Sequence, residues 1–317
     1  MGSRISVVTP SLDQAQYIST AIDSVLNQHY PSLEYIVVDG GSQDNTRHLL
    51  ERYERALEWV SEPDRGQAEA INKGFRRTTG DILGWLNADD LYAPVTLKEV
   101  ALQFANNPEL MMLYGDAYHI DAEGSIIDRY STSDYHWENL AFHCFVCQPT
   151  CFFRRSLIEK AGYLDPQLHY ALDLDLWIRF GLAQRQNPTW KFTYLPKVLA
   201  YSRMHLENKT LSKRKESLQE VIQVVKKYFD YVSFNWVYAL KESADGRFDG
   251  YFRRSPPSLH LMATALSEWI WINRSNPAYV FSSIKECLGS PRDSISRLAR
   301  RTARAGTTDR NGPKRML

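Results

Sequence analysis

The feature that most constrains this fold is a repeated alternation, in the first half of the chain, of short apolar runs with helically spaced apolar residues. The runs that fit strands are Ile5–Val8, Tyr35–Val38, Glu58–Ser61, Ile82–Leu86 and Met111–Tyr114. The segments with helical apolar spacing are Ile18–Leu26, Leu49–Leu57, Ala68–Phe75 and Leu97–Phe104. Strands that alternate with helices predict an α/β fold, with a Rossmann-like, mostly parallel sheet and helices on both faces.

Polar loops follow three of the predicted strands. They comprise residues 9–11, 39–44 and 87–90. In parallel α/β sheets, ligands bind beyond the carboxyl ends of the strands. We therefore expect the three loops to converge at one edge of the sheet and to contain the functional site.

Composition limits the classes of protein that need consideration. The chain has 317 residues, 44% hydrophobic and 24% charged, which is typical of a soluble globular protein. A formal net charge of +1 argues against a nucleic-acid binder, because such domains usually carry a basic excess. No secretory signal opens the chain, and no apolar run reaches the roughly 18 residues of a membrane span. We expect a cytoplasmic protein, and contact with the inner face of the membrane stays open.

Three segments are expected along the chain. Residues 1–210 contain the α/β alternation and the polar loops, so they form the main domain. Residues 211–290 show amphipathic helical spacing and form a predicted helical extension, with a break at Ser255-Pro256-Pro257. Residues 291–317 form a basic tail that is rich in Arg, Gly, Thr and Ser, and we expect it to be disordered.

Cys144, Cys147 and Cys151 are close together in sequence, so a metal site needs consideration. A structural zinc site has four ligands, usually arranged as two separated pairs. The nearest further candidate, His143, belongs to the same short run. Small buried thiols are therefore the better interpretation of these cysteines.

The run Asn87-Ala88-Asp89-Asp90 is the sharpest local signal. Two adjacent carboxylates repel each other unless a cation or hydrogen bonds offset their charge. Mg²⁺ and Mn²⁺ prefer oxygen ligands, and Mg²⁺ commonly bridges carboxylates to substrate phosphates. The alternative is that Asp89 and Asp90 cap the turn before Pro94. Because the run follows a strand end, we favour a site for Mg²⁺ or Mn²⁺.

Asp39 follows the second predicted strand and precedes two glycines. Glycines permit a positive φ or a close approach of the backbone to a ligand. The Asp39 carboxylate could accept hydrogen bonds from a nucleotide base or ribose. Alternatively, Asp39 only ends the strand while Ser42 or Asp44 caps the next helix. The residues alone support both interpretations equally.

Asp173 and Asp175 alternate with apolar residues just before Trp177. Acids are costly to bury in such a segment without partners, and a partly buried carboxylate with a raised pKa suits a general base. The alternative is that the acids cap and fill the first turn of a helix. Both interpretations can hold, with one acid capping and the other catalysing. His205 could ligate a metal or contact a phosphate, although a lone histidine is usually structural.

Together these residues resemble the family 2 inverting glycosyltransferases of the GT-A fold. The resemblance covers about residues 4–210, and its motifs occur in the order typical of the family. The segments that carry it are Ile5–Ser11, Tyr17–Gln28, Ile36–Thr46, Ser61–Gly74, Gly80–Asp90, Asp173–Trp177 and His205. The resemblance implies that residues 1–210 form a GT-A catalytic domain.

The resemblance also implies a metal-dependent, hexosyltransferase-type enzyme. It would move a sugar from a nucleoside-diphosphate sugar to an acceptor hydroxyl in one inverting displacement. The residues implied in nucleotide-sugar binding are Thr9, Pro10, Ser11, Asp39, Asp64, Asn72, Lys73, Asn87, Ala88 and Asp89. Asp89, Asp90 and His205 would hold the Mg²⁺ or Mn²⁺ ion, and Asp173 would deprotonate the acceptor. By analogy, the acceptor is a saccharide or a lipid-linked sugar in surface polysaccharide or glycolipid synthesis.

Two residues depart from the family pattern. Asn87 stands at the first position of the DxD motif, so metal contact rests mainly on Asp89, with Asp90 in support. Leu172 stands where the family usually has Glu. These departures keep open a second class, a sugar-nucleotide-binding protein of the same fold with impaired catalysis. A nucleotidyltransferase is a third class, but residues 9–13 lack the basic, glycine-rich phosphate loop that it needs.

The segment after Leu211 is expected to serve a membrane or a partner rather than the chemistry. Leu259–Ile272 forms a broad apolar surface that includes Trp269 and Trp271. The arginines beyond it are Arg292, Arg297, Arg300, Arg301 and Arg304. Basic residues near an aromatic, apolar helix suit the headgroups of an anionic membrane. The alternative is that the apolar face packs on the catalytic domain.

Overall fold

The computed structural model of the chain describes residues 3–244 and 258–288. Its strands are β1 (Ile5–Ser11), β2 (Leu33–Asp39), β3 (Glu58–Ser61), β4 (Ile82–Trp85), β5 (Leu91–Tyr92), β6 (Leu110–Ile120), β7 (Ile126–Arg129), β8 (Phe152–Arg154) and β9 (Lys191–Arg203). Its helices are α1 (Ile18–Leu26), α2 (Thr46–Glu51), α3 (Gln67–Arg77), α4 (Thr96–Asn106), α5 (Arg155–Ala161), α6 (Leu172–Gln186), α7 (Lys209–Ser212), α8 (Arg214–Phe229), α9 (Phe234–Ala244), α10 (Leu259–Ile272) and α11 (Pro277–Leu288). Short 3₁₀ helices cover Trp137–Ala141 and Gln148–Thr150.

The strands of the described ranges form one sheet in the order β3-β2-β1-β4-β8-β6-β9-β5, and β7 pairs with β6 outside this path. β3, β2, β1 and β4 are parallel to one another, and so are β6 and β9. β8 joins these two parallel groups by antiparallel pairing with both β4 and β6. The predicted α/β class is confirmed. The sheet becomes mixed at β8, whose three residues are too few for apolar periodicity to reveal.

Apolar residues of the central strands contribute alternately to two cores, one on each face of the sheet. On β1, Val8 belongs to the core that also contains residues of α3, α6 and α8, whereas Ile5 and Val7 belong to the core with α1 and α4. Every residue of β1 is buried. A parallel strand that is buried on both faces has a nearly continuous apolar run, which is why the sequence pattern located β1.

α2 is shorter than the apolar spacing of residues 49–57 predicts. The helix ends at Glu51, and Tyr53 and Leu57 lie in the turns that follow it. Leu57 still reaches the apolar core, and its N–H donates to the carbonyl of Tyr53 at 3.1 Å. The chain straightens here because β3 starts at the next residue, Glu58.

α8 packs within the main body of the fold although it lies beyond residue 210. The core that contains residues of α3 and α6 also buries three valines of α8, namely Val221, Val224 and Val225. α9, α10 and α11 share a smaller cluster around Val232 and Trp269. The predicted helical extension is therefore present, and its first long helix shares the core of the α/β body. The expected basic tail, residues 291–317, lies outside the described residues.

Candidate active site

The loops after β1 and β2 are hydrogen-bonded to each other at the carboxyl edge of the sheet. The N–H of Gly40 donates to the carbonyl of Ser11 at 2.8 Å. The N–H of Asp13 donates to the Ser42 hydroxyl at 2.8 Å, and the Asp13 carboxylate accepts from the N–H of Gln43 at 2.7 Å. The loop after β2 therefore fixes the loop after β1. Together the two loops form one wall of the candidate site.

Asp39 is the centre of the hydrogen bonds inside this wall. Its carboxylate is fully buried and accepts from the N–H of Ser42 at 3.0 Å and from the N–H of Gly41 at 3.2 Å. The hydroxyls of Ser42 and Ser61 also donate to it, the latter at 2.6 Å. Asp39 thus orders the loops after β2 and β3. Its contact with a nucleotide stays a prediction.

Ser11 and Asp64 carry polar atoms that make fewer hydrogen bonds within the protein than the Asp39 carboxylate does. The Ser11 hydroxyl is buried and has no hydrogen-bond partner in the described part of the chain. The Asp64 carboxylate accepts from the N–H of Gly66 at 2.8 Å, and burial raises its pKa. A Cβ on Gly40 would lie 2.8 Å from Asp64 Oδ2, so a side chain at this position would crowd the carboxylate. Because an unpaired buried hydroxyl is costly, these are groups that a polar ligand would satisfy.

The other residues predicted to bind the nucleotide sugar from β1 and α3 have defined places in the protein. Thr9 and Pro10 are buried within β1. The Asn72 amide exchanges hydrogen bonds of 2.8 and 3.1 Å with the backbone of Leu164. Lys73 Nζ lies 3.1 Å from a glutamate carboxylate of the loop after β3. Asn72 therefore anchors α3, and Lys73 lies beside the loop that carries Asp64.

The turn after β4 is fixed by its own side chains. The Asn87 amide donates to Asp90 Oδ2 at 3.1 Å, and its carbonyl accepts from Gln67 Nε2 at 2.8 Å. Asp90 is buried and also accepts from the N–H of Arg203 on β9 at 2.9 Å. Burial raises the pKa of Asp90 well above its usual range, and the charge of Asp89 adds to the rise. Asp90 therefore anchors the turn to β9.

Asp89 and His205 meet beside this turn, next to the buried Ala88. Asp89 Oδ2 lies 3.0 Å from His205 Nε2, and the His205 and Tyr17 rings are in contact, with centroids 4.8 Å apart. The contact between Asp89 and His205 is a hydrogen bond, and neighbouring ligands of an octahedral cation with bonds of about 2.1 Å also lie about 3.0 Å apart, so the same two atoms could hold a cation. Within residues 3–244 and 258–288, no group of three His, Cys, Asp or Glu side chains has a metal-binding arrangement.

Asp173 lies in the first turn of α6. Its carboxylate accepts from the N–H of Leu174 at 2.8 Å. Burial raises the pKa of Asp173 to about 6, and the charge of Glu220 acts in the same direction. A carboxylate with this pKa is ionised at neutral pH and is still basic enough to take a proton in a reaction.

Asp175 is the structural member of the two acids on α6. It is 1% exposed, and its carboxylate accepts from Arg179 Nε at 2.7 Å and from the Tyr228 hydroxyl at 2.8 Å. Because Tyr228 belongs to α8, Asp175 links α6 to α8. Asp175 is therefore engaged within the protein, and the role of general base stays a prediction for Asp173.

The cysteines near the site are free thiols. Cys147 and Cys151 are buried, and Cys144 is half-buried. Burial raises the pKa of each thiol, and the charge of Asp173 contributes to all three. The charge of Asp90 also raises the pKa of Cys147, so this thiol lies near both the turn after β4 and the start of α6. Protonated thiols suit an apolar wall of the site.

Two residues that sequence reasoning did not assign to the site organise it. Arg203 donates through Nε to the Asp89 carbonyl at 2.9 Å and through Nη1 to the Asp121 carbonyl at 3.0 Å. Gln67 supports the turn after β4 from the start of α3, as described above. Arg203 could have been assigned to the site from the sequence, because it stands two residues before His205. Gln67 gave no signal beyond its place in the family motif.

Sequence comparisons identify relatives of the chain. The profile of Glycosyl transferase family 2 matches residues 6–162. An uncharacterized glycosyltransferase of Nostoc sp., alr2836, is 28% identical over 225 residues, which are 66% of this chain and 67% of the relative. The O-antigen biosynthesis protein RfbC of Myxococcus xanthus is 36% identical over 185 residues, which are 56% of this chain and 14% of RfbC.

A solved structure shares the fold. The mannosyltransferase PcManGT of Pyrobaculum calidifontis, in complex with GDP-Man and Mn²⁺, matches with a TM-score of 0.54 at 19% identity, over 96% of this chain and 81% of that chain. The sheet, its covering helices and the loops at its carboxyl edge form a GT-A fold. The chain belongs to Glycosyl transferase family 2.

Proposed function

We propose that this glycosyltransferase moves a hexose from a nucleoside-diphosphate sugar to an acceptor hydroxyl, with inversion at the anomeric carbon. The observation that carries the proposal is the environment of Asp173. Its pKa is raised to about 6, whereas the neighbouring acid, Asp175, is occupied by Arg179 and Tyr228. One available carboxylate suits the single proton transfer of a single displacement.

In the proposed reaction, Asp173 accepts the proton of the acceptor hydroxyl while the acceptor oxygen forms a bond to the anomeric carbon. The bond between that carbon and the β-phosphate oxygen breaks, and the nucleoside diphosphate leaves with the electron pair. Attack from the side opposite the leaving group inverts the configuration of the anomeric carbon.

Asp89 and His205 would hold a divalent cation, Mg²⁺ or Mn²⁺, because their facing atoms are 3.0 Å apart. When bound, such a cation neutralises charge on the departing diphosphate. Asp90, the third predicted ligand, accepts from the N–H of Arg203, so we assign it chiefly to holding the turn. The complex of PcManGT with GDP-Man and Mn²⁺ supports a cation site in this fold.

The nucleotide sugar would bind between the loops after β1 and β2 and the turn after β4. Ser11 and Asp64 supply polar atoms there, and Asp89 lies toward the diphosphate. The similarity to RfbC, an O-antigen biosynthesis protein, supports a role in surface polysaccharide or glycolipid synthesis. The acceptor would then be a saccharide or a lipid-linked sugar.

A screen of UDP-, GDP- and dTDP-linked hexoses with saccharide acceptors tests the proposed function. We expect one donor to raise the unfolding temperature and to be turned over with Mg²⁺ or Mn²⁺. Nuclear magnetic resonance of the product should show an inverted anomeric carbon. Retained configuration would contradict the single displacement. Donor binding without transfer or hydrolysis would favour the impaired binding protein that Asn87 and Leu172 leave open.

We also propose that the C-terminal helices bring the site to an anionic membrane surface. The face of α10 that is buried consists of Leu261, Ala265 and Trp269. Another face leaves Leu266, Ile270 and Trp271 exposed, with Trp271 at 65%. Arg274 lies over the Trp271 ring at 3.9 Å, and tryptophan beside a basic side chain is typical of membrane interfaces. Within the described ranges, no helix has the length and apolar character needed to cross a bilayer.

Liposome co-sedimentation tests the membrane proposal. We expect the full chain to sediment with anionic vesicles more than with neutral ones, and a chain truncated at Pro291 to sediment less. The truncation removes Arg292, Arg297, Arg300, Arg301 and Arg304, which lie outside the described residues. Trp271→Ser should also weaken sedimentation, whereas Leu102→Ser, at an exposed apolar position on α4, should not. Equal sedimentation with both vesicle types, or no change on truncation, would leave the tail without a membrane role.

A further inference from the structure

Glu220 on α8 binds the backbone that leads into α6. Its Oε1 accepts from the N–H of His169 at 2.8 Å, and its Oε2 accepts from Tyr170 at 2.5 Å and Ala171 at 2.7 Å. Three consecutive N–H groups therefore converge on one carboxylate. Because Ala171 is the N-cap of α6, these bonds fix the chain immediately before the helix.

The start of α6 depends on this carboxylate from another helix. Ala171 has no polar side chain, so α6 lacks a side-chain cap of its own. Helix N-termini favour negative charge, and hydrogen bonds to an ionised acceptor are about twice as strong as neutral ones. Asp173 is two residues beyond Ala171. A shift of residues 169–171 would therefore move the Asp173 carboxylate.

We propose that Glu220 is a positioning residue for Asp173, because its carboxylate fixes residues 169–171 and so orients the first turn of α6 toward the acceptor. The inference rests on the proposed role of Asp173 as general base. It gives a helix beyond residue 210 a role in the chemistry, in a segment where the sequence predicted none.

A second contact holds α6 against α8. The role of Glu220 can therefore be tested without loss of the packing between the two helices. The Tyr228 hydroxyl donates to Asp175 two turns further along α8. Glu220, Val224 and Tyr228 are spaced by four residues, so they lie on one face of α8. This second contact and the buried valine keep α6 against α8. Loss of the Glu220 carboxylate should therefore loosen the start of α6 while the helices stay packed.

Glu220 is the charged side chain that acts on the pKa of Asp173 among the residues that the structure describes. The other titratable groups that interact with Asp173 there are Tyr130, Cys144, Cys147 and Cys151. Burial raises the pKa of that phenol and of those thiols further above neutral, so they stay uncharged. Glu220 carries a charge that raises the pKa of Asp173, and the same charge acts on Lys209. Removing the Glu220 charge should lower the pKa of Asp173.

The experiment compares Glu220→Gln with Glu216→Gln, an exposed acid one turn earlier on α8. In Glu220→Gln, kcat should fall by about 10- to 100-fold, because a small misplacement of a reacting group has an effect of this size. Donor affinity should stay at the wild-type value. The acid limb of the kcat profile should move to lower pH. Glu220→Asp keeps the charge, so it should keep the wild-type acid limb and recover part of kcat.

Three outcomes separate this inference from the proposed function. A folded Glu220→Gln with the kcat of Glu216→Gln, or with a lower kcat but an unmoved acid limb, would overturn the positioning role. If thermal unfolding shows that Glu220→Gln does not fold, Glu220→Asp tests the positioning role instead. Its shorter side chain must lower kcat if the position of the carboxylate matters. Wild-type turnover in Asp173→Asn would instead overturn the general base itself, whatever Glu220 does.

Discussion

Asp89 Oδ2 and His205 Nε2 lie 3.0 Å apart, although 116 residues separate them in sequence. Asp89 follows β4, and His205 follows β9. The two meet because β5, which begins directly after Asp90, pairs with the end of β9. Arg203 strengthens the junction, since it donates to the Asp89 carbonyl. The pairing of two strands, and not a local motif, therefore creates the candidate cation site.

Asp89→Ala should weaken the Mn²⁺-dependent binding of a nucleoside diphosphate by about 10- to 100-fold, and His205→Ala should weaken it in the same direction. Each change removes one of the two facing ligand atoms. Calorimetry with UDP, GDP and dTDP, with and without Mn²⁺, measures the effect. His119→Ala is a matched control, because His119 and Asp128 form a similar pair on the β6–β7 hairpin. Wild-type, Mn²⁺-dependent affinity in Asp89→Ala would remove Asp89 from the cation site.

Asp173→Asn should lower kcat by roughly 10²- to 10⁴-fold, because it keeps the size of the side chain but removes its basicity. Donor affinity should survive, since the residue serves the acceptor. Single-turnover kinetics and calorimetry separate these two quantities.

Asp175→Ala should instead reduce the free energy of unfolding by roughly 3–5 kcal/mol, because it leaves the Arg179 charge without its buried partner. If Asp175→Asn abolishes turnover and Asp173→Asn does not, the wrong acid has been chosen.

The kcat of the wild-type enzyme should fall as the pH drops below about 6, because only ionised Asp173 can accept a proton and burial raises its pKa to about 6. An unperturbed aspartate would place this limb near pH 4. The measurement is kcat at saturating donor and cation from pH 4.5 to 8. A flat profile down to pH 5 would contradict the raised pKa.

The same pKa shift should affect stability. The pKa of Asp173 rises from its ordinary value of 3.8 to about 6 on folding, so the folded state binds the proton more tightly. The free energy of unfolding therefore falls as the pH rises through this window and stays reduced above it. Asp173→Asn has no carboxylate at this position, so it does not show this fall in the free energy of unfolding. Its unfolding temperature should exceed that of the wild type at pH 8, with a smaller difference at pH 4, and a lower value at pH 8 would argue against a desolvated carboxylate.

The strands β1, β2 and β4 of the parallel group could be predicted because they are buried on both faces. All of β1 and β4, and most of β2, are buried, so their sequences are apolar runs that a period-based analysis detects. β9 could not be predicted in this way. Most of its thirteen residues are exposed or half-buried, and it includes lysines and a proline. Its place in the sheet depends on pairing with β6 over a long stretch of the chain.

The acids of the site could be located from sequence, but their roles could not be separated. Asp39, Asp90 and Asp175 each meet donors that lie far away in the chain. Ser61 donates to Asp39 across 22 residues, and Tyr228 donates to Asp175 across 53 residues. Local spacing contains no information on such partners. The structure shows which donors Asp39, Asp90 and Asp175 meet, and the roles of Asp173 and Asp89 stay predictions.

A chain that ends at residue 288 should fold and bind donor, whereas a chain that ends at residue 210 should not fold. The shorter chain loses α8 and three buried valines, and burial of such a side chain contributes roughly 1.5–3 kcal/mol. It also loses the hydrogen bonds that Glu220 accepts from the backbone before α6 and the one that Tyr228 donates to Asp175. These losses together approach the total stability of about 5–15 kcal/mol that is usual for a domain. Circular dichroism, gel filtration and thermal unfolding of both chains measure the difference. Cooperative unfolding and wild-type donor affinity in the chain of residues 1–210 would show that α8 is an independent extension, and would remove the structural basis for a role of Glu220.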